Sequence, residues 1–294
     1  MQPYSIQDQE TIKGIKETSV PASGAVGEPY TLITGASHGI GLCYAREFAR
    51  RGRPLLLVAL PEEKLEKVTS EIRREYHVQV DTVGIDLTAD HAPQEVWRYC
   101  KKRNYTIDTL VNNAGIGFAS RFENISMDNN LVMIRLNTEA MVGLTHYFLP
   151  MLQAQPQGHI VYMSSMEATL SLPYKSVYTS TKSFIYSFAL ALREELKKTK
   201  VKIHVVCPGP VLTNADGLER IHTQGWKARM LMKSPDEVAA YAIGKMDRNA
   251  VRIVPGSMNR LLLWVAGHLP RPLRMNLLER IFRCFKDHQM RDEK

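Results

Sequence analysis

Seven short apolar runs, separated by segments of helix length, constrain this chain more than any other feature. The runs are YTLITG, PLLLVAL, VQVDTVGIDL, DTLVNNAG, HIVYMSS, KIHVVCPG and VRIVPG. Between them lie segments with helical spacing. In EEKLEKVTSEIRREY the residues Leu65, Val68, Ile72 and Tyr76 form one apolar stripe. SMDNNLVMIRLNTEAMVGLTHYFLPML reads as one long helix with Ser126 as its N-cap. Lys175 to about Thr199 reads as another. Near-continuous apolar strands alternating with helices are buried on both faces. The predicted fold class is therefore α/β, a doubly wound parallel sheet with helices on both faces. Ligands of such sheets bind at the carboxyl ends of the strands.

Residues 1–28 are polar, carry Gly and Pro near their end, and read as an arm or linker. The α/β pattern fills 29–258, and 259–294 form a basic, apolar extension. The chain is 44% hydrophobic and 23% charged, the balance of a water-soluble domain. Cys43, Cys100, Cys207 and Cys284 have neither metal-ligand nor redox spacing, so no metal site is expected and the thiols read as reduced. The N-terminus has no apolar core of a signal peptide, and no run spans a bilayer. A cytoplasmic location is expected. The net charge is +8, and the last 36 residues hold half of the excess, with eight Lys/Arg against four Asp/Glu. That distribution suits an anionic surface such as a membrane, and no nucleic-acid motif accompanies it.

Thr34-Gly35-Ala36-Ser37-His38-Gly39-Ile40-Gly41 stands between the first strand and the first helix. Glycines there allow a tight turn and bring backbone N–H groups up to a pyrophosphate at the helix N-terminus. Further on, Tyr178 and Lys182 are four residues apart, on one face of a helix. An ammonium about 4 Å from a phenol, at an effective dielectric of ~20, is worth roughly 4 kcal/mol. That is enough to draw a tyrosine from ~10 towards neutrality, where proton transfer is most efficient. Spacing alone does not select this pair, because Tyr241 and Lys245 share it.

Taken together, these segments resemble the short-chain dehydrogenase/reductase family over about Tyr30 to Gly256. The matching residues are Thr34-Gly35-x-x-x-Gly39-x-Gly41, Asp86, Asn112-Asn113-Ala114-Gly115, Asn137, Ser165, Tyr178-x-x-x-Lys182, and Pro208-Gly209 followed by Thr213. Ser165 stands thirteen residues before Tyr178, as in the family, whereas Tyr241 has Ala228 at that distance. The resemblance implies a Rossmann-like fold and a carbonyl/alcohol oxidoreductase using NADP or NAD. It implies that Tyr178 exchanges the proton and that Ser165 holds the carbonyl oxygen. Lys182 would serve the tyrosine and the nicotinamide ribose, and Asn137 would hold a water in a relay to Lys182. It also implies cofactor contacts from Gly35, Ser37, His38, Gly39, Ile40, Gly41, Asp86, Leu87, Asn113, Tyr178, Lys182, Pro208, Gly209 and Thr213.

NADP is favoured over NAD because the second strand ends in Ala59 and Leu60, with no carboxylate to repel a 2′-phosphate. His38 stands where NADP-using members often have a basic group, although the arginine many of them carry is absent. An apolar ketone such as a steroid or a 3-oxoacyl compound is the expected substrate. Trp226, Met230, Leu231 and Met232 are read as either a substrate cover or core. The family's habit implies a homodimer or homotetramer through helices at about 127–152 and 175–199. The second helix carries Phe184, Ile185, Phe188, Ala189 and Leu190. The tail is read as either a packing extension or a peripheral membrane contact. A nucleotide-binding regulatory or scaffold module is the alternative. An extended epimerase or dehydratase fits less well, because the glycine spacing and length differ.

Overall fold

The computed structural model describes residues 27–212 and 232–285. Most of the expected arm, together with Thr213, Trp226, Met230 and Leu231, lies outside the described residues. All seven apolar runs form strands. They are β1 (Tyr30–Thr34), β2 (Leu55–Ala59), β3 (Val80–Gly84), β4 (Ile107–Asn112), β5 (Gly158–Met163), β6 (Val201–Val206) and β7 (Arg252–Ile253). They pair in parallel in the order β3-β2-β1-β4-β5-β6-β7. Every residue of β1 and β2 is buried, because both faces of the sheet are covered. The order reverses between β1 and β4, which opens a crevice at their carboxyl ends.

Two cores form, one on each face. One packs α1 (Gly39–Arg50), α2 (Glu63–Tyr76) and α7 (Pro235–Met246) through Tyr44, Phe48, Leu65, Ile72, Val238 and Ala242. The other packs α3 (Ala92–Lys102), α5 (Ala140–Gln153) and α6 (Ser176–Glu195) through Val96, Leu144, Phe148, Ile185 and Ala189. Met232 is buried.

The long helix expected from Ser126 onward is interrupted. Ser126 does cap it, its Oγ accepting from Asn129 N–H at 3.2 Å. However, α4 (Met127–Ile134) passes into a π-helical turn, Arg135–Glu139, before α5 begins. Such turns carry one extra residue and concentrate at functional sites. Here the turn holds Asn137.

Beyond β7, the tail forms α8 (Ser257–His268) and α9 (Arg271–Phe282). Asn259, Leu263 and Leu278 are its buried anchors. The tail therefore packs on the domain through one face and leaves the other open. Leu261, Trp264, Val265, Leu273, Leu277 and Ile281 are exposed.

Candidate active site

The glycine turn closes on itself at the β1/β4 crevice. Gly35 and Gly39 take φ of +65° and +56°, which side-chain-bearing residues rarely adopt. A Cβ on Gly41 would sit 2.1 Å from Gly35 O and 2.6 Å from Asn113 Nδ2. Asn113 earns that proximity by donating to Thr34 O at 2.9 Å and to Gly35 O at 3.3 Å. Thr34 completes the joint: its hydroxyl donates to Val111 O and accepts from Asn113 N–H and Ala114 N–H, at 2.9–3.2 Å. Sequence reading gave Thr34 no such role. Asn112 donates to Thr145 Oγ1 at 3.3 Å, which ties the end of β4 to α5.

The first turn of α1 has no acidic residue and no side-chain cap. Its N-terminal N–H groups and dipole therefore suit an anion. His38 precedes it, with Ser37 Oγ 3.0 Å from its Nδ1. Burial, and then the Lys64 ammonium, push His38 below the usual histidine range, with Glu62 opposing. Asp86, exposed after β3, folds its own turn by accepting from Thr88 N–H and Oγ1–H, both at 2.8 Å, and Leu87 behind it is buried. Pro208 follows β6 and accepts from Met166 N–H at 2.9 Å, while Gly209 backs onto Asn259. Gly35, Ser37, His38, Gly39, Ile40, Gly41, Asp86, Leu87, Asn113, Pro208 and Gly209 all follow the carboxyl ends of strands. That is the edge where this fold takes ligands.

The catalytic candidates gather between β5 and α6. Ser165 follows β5 and caps a short 3-10 turn, its Oγ accepting from Glu167 N–H at 3.1 Å. Its own hydroxyl proton remains available for a substrate oxygen. Tyr178 and Lys182 share a face of α6, with Lys182 Nζ 5.8 Å from the centre of the Tyr178 ring. Two bonds pin α6 to the end of β5. Lys182 Nζ donates to Met163 O at 2.9 Å, and Ser164 Oγ donates to Lys182 O at 2.8 Å. Ser164 therefore fastens the end of β5 to α6. Burial pulls the Lys182 amine down to about 8, with the Cys207 side chain opposing.

Asn137 is buried and spans the gap from α6 to the β4 loop. Its side chain accepts from Ile116 N–H and donates to Ile116 O, both at 2.9 Å, and donates to Thr181 Oγ1 at 3.0 Å. Opposite it, Gly117 lies against the tyrosine: a Cβ there would meet Tyr178 Cδ2 at 2.5 Å. Thr181 and Gly117 were also missed by sequence reading. The decoy pair has similar local geometry, with Lys245 Nζ 5.5 Å from the Tyr241 ring. Its surroundings differ: on α7, Tyr241 Oη accepts from Arg260 at 3.1 Å, and the same guanidinium nitrogen donates to Val254 O just after β7.

The short chain dehydrogenase family profile matches residues 29–223. The chain belongs to that family. This dehydrogenase is an oxidoreductase and is 31% identical over 277 residues to 11-beta-hydroxysteroid dehydrogenase-like 4A of Arabidopsis thaliana, covering 92% of this chain and 90% of that one. It is 29% identical over 195 residues to the very-long-chain 3-oxoacyl-CoA reductase of Bos taurus. That match spans 65% of this chain and 62% of the relative. Among solved structures, a short-chain dehydrogenase from Sphingobium yanoikuyae in complex with NADPH is 26% identical, with a TM-score of 0.70. It aligns with 90% of this chain and 100% of its own. These relatives give no support to a regulatory or scaffold module.

Proposed function

We propose that this dehydrogenase reduces an apolar ketone to a secondary alcohol with NADPH. The observation that carries the proposal is the joint placement of Tyr178 and Lys182 on α6, pinned to the strand end that presents Ser165. The dinucleotide fits the residues present: the cradle at Gly41 leaves no room for a Cβ, and the uncapped α1 N-terminus suits a pyrophosphate. When bound, the dinucleotide supplies the hydride.

The protein's part is orientation and proton movement. Ser165 donates to the carbonyl oxygen and stabilises the charge that develops there. Tyr178 gives its Oη proton to that oxygen. The buried Lys182 ammonium stabilises the phenolate left behind, and Asn137 holds open the route for proton return. Leu60, half-exposed where β2 ends, puts no carboxylate there to repel a 2′-phosphate. With the NADPH-bound relative, this supports NADP over NAD. Exposed Ile116, beside Asn137, supports an apolar substrate. The test is dinucleotide oxidation against a panel of steroid, 3-oxoacyl and short aliphatic ketones, with NADPH and with NADH. Faster turnover with NADH, or turnover of only the short ketones, would reverse the respective choice.

Association as a homodimer or homotetramer belongs to the same proposal, on a revised surface. Ile185 and Ala189 are buried in the subunit's own core and cannot serve an interface. Phe184 is exposed, and Met127, Leu131 and Ile134 of neighbouring α4 join it. Sedimentation at micromolar concentration is expected to show an oligomer that Phe184→Glu dissociates; a wild-type monomer would refute it.

A peripheral membrane contact through α8 and α9 is the remaining partner. Among the described residues, no helix is long and apolar enough to cross a membrane. Arg260, Arg274 and Arg283 bond within the protein, which leaves exposed Arg271 and Arg280 beside the apolar face to meet lipid phosphates. Because Asn259, Leu263 and Leu278 are buried, deleting the tail would damage the domain as well. Trp264→Glu with Leu277→Glu is the cleaner probe. It is expected to abolish co-sedimentation with anionic vesicles, and equal sedimentation of both proteins would exclude the contact.

A further inference from the structure

Lys175 is a buried cation one helical turn before Tyr178. Its Nζ pairs with Glu167, at 2.9 Å from Oε1 and 3.2 Å from Oε2. The same ammonium lies 5.8 Å from the Tyr178 ring, 5.3 Å from the Phe282 ring and 5.3 Å from the Phe285 ring. Cations within about 6 Å of a ring centre are attracted to it. Glu167 in turn gives its backbone N–H to Ser165 Oγ. A continuous set of contacts thus joins Phe282 and Phe285 of the tail to both candidate catalytic side chains.

A second tie lies one residue away. Tyr174 Oη donates to Glu279 Oε1 of α9 at 3.0 Å. Tyr174 has φ of +66°, an uncommon conformation for a tyrosine, and its carbonyl is held by Ser120 N–H at 2.9 Å. Backbone held in that region marks places where surrounding structure overrides local preference. At the other end of the tail, Asn259 is buried against Gly209, just after β6. The tail is therefore fastened both at the strand edge of the cofactor crevice and beside the tyrosine.

The geometry points to α9 as the outer wall of the substrate cleft, held there by Lys175, with Phe282 and Phe285 limiting the bulk of the ketone that reaches Tyr178. This rests on the carbonyl-reductase reading for its substrate, but not for the attachment of α9. Lys175 is a positioning residue: it holds the aromatic wall and steadies Glu167 behind Ser165. Phe282 and Phe285 are the specificity-determining residues.

Two measurements on the full chain with NADPH test this. The first is amide hydrogen exchange in α9. Lys175→Met combined with Glu167→Gln removes the pair without leaving one charge buried alone. It is expected to speed exchange over 271–282 at least tenfold and leave β1 and β4 unchanged. Lys175→Arg, which keeps the cation, should restore protection. Unchanged exchange in the double variant would overturn the attachment. The second is the ratio of kcat/KM for androstenedione to that for cyclohexanone. Phe282→Ala with Phe285→Ala is expected to shift it at least tenfold towards the bulky ketone, and an unmoved ratio would overturn the specificity role. If the wild type reduces neither ketone, the carbonyl-reductase reading and the specificity role resting on it both fail. The exchange result still decides whether Lys175 holds α9.

Discussion

Tyr178→Phe is expected to lower turnover by at least ~100-fold while dinucleotide affinity stays within about threefold, since a positioned general acid contributes ~100- to 10,000-fold. The substitution keeps the ring that packs on Gly117 and lies between Lys175 and Lys182. Only the transferable proton is removed. Rate and dinucleotide titration should be measured on one preparation. Tyr241→Phe is the internal control, because that tyrosine has the same lysine spacing and similar ring-to-amine geometry. It should be nearly silent. Retention of more than a few per cent of the rate in Tyr178→Phe would remove Tyr178 from the mechanism.

Lys182→Met has an expected effect on stability opposite to its effect on activity. The variant should lose turnover and dinucleotide affinity together, because one ammonium serves both. In the folded protein, burial holds the amine at about 8, against an ordinary value of 10.5. Below pH 8 both the folded and unfolded chains carry the proton, so the cost of a buried charge is fully present. Between pH 8 and 10.5 the unfolded chain binds more protons, so stability attributable to this group rises with pH. Above that range the cost is gone. At about 1.4 kcal/mol per pH unit the full cost is on the order of 3 kcal/mol. Losing the bond to the Met163 carbonyl offsets roughly 1 kcal/mol of that. Urea melts should therefore show Lys182→Met more stable than the wild type near pH 7, with the gap closing by about pH 10. A gap that does not change with pH would mean that the ammonium is not buried as described.

Much of this architecture is legible in the sequence because it is repetitive. Parallel strands covered on both faces leave apolar runs such as PLLLVAL, and all seven runs became strands. The glycine turn is legible for a related reason: where the backbone closes to 2.1 Å of a would-be Cβ, only glycine can stand. The Tyr178–Lys182 pair was legible only in context. The Tyr241–Lys245 pair shows that helical spacing produces the same local approach where an arginine, and not a strand-end serine, meets the phenol.

Other features leave little trace in the sequence. The π-helical turn at Asn137 adds one residue to a helix without altering its composition, so the segment reads as unbroken. Thr34 resembles any strand threonine until β4 is placed beside it. Lys175 and Glu167 look like solvated charges, yet Lys175 is buried and Glu167 partly buried, with Phe282 and Phe285, more than 100 residues later, against the Lys175 ammonium. Sequence-distant contacts of that kind have no local signature. For the same reason, the sequence does not sort the apolar residues of 175–199 between core and interface, although Ile185 is buried and its neighbour Phe184 exposed.

In the proposed reaction a hydride passes from the dinucleotide to a carbonyl carbon while Tyr178 protonates the oxygen. Its most direct measurement is label transfer. The full chain is incubated with NADPH bearing deuterium at the transferable C4 position and with the best ketone of the panel, and the product alcohol is analysed by mass spectrometry and NMR. One deuterium is expected on the carbinol carbon of every product molecule, with at least ~100-fold slower product formation by Tyr178→Phe under the same conditions. An alcohol without deuterium, or labelled alcohol formed equally well by the phenylalanine variant, would contradict that reaction.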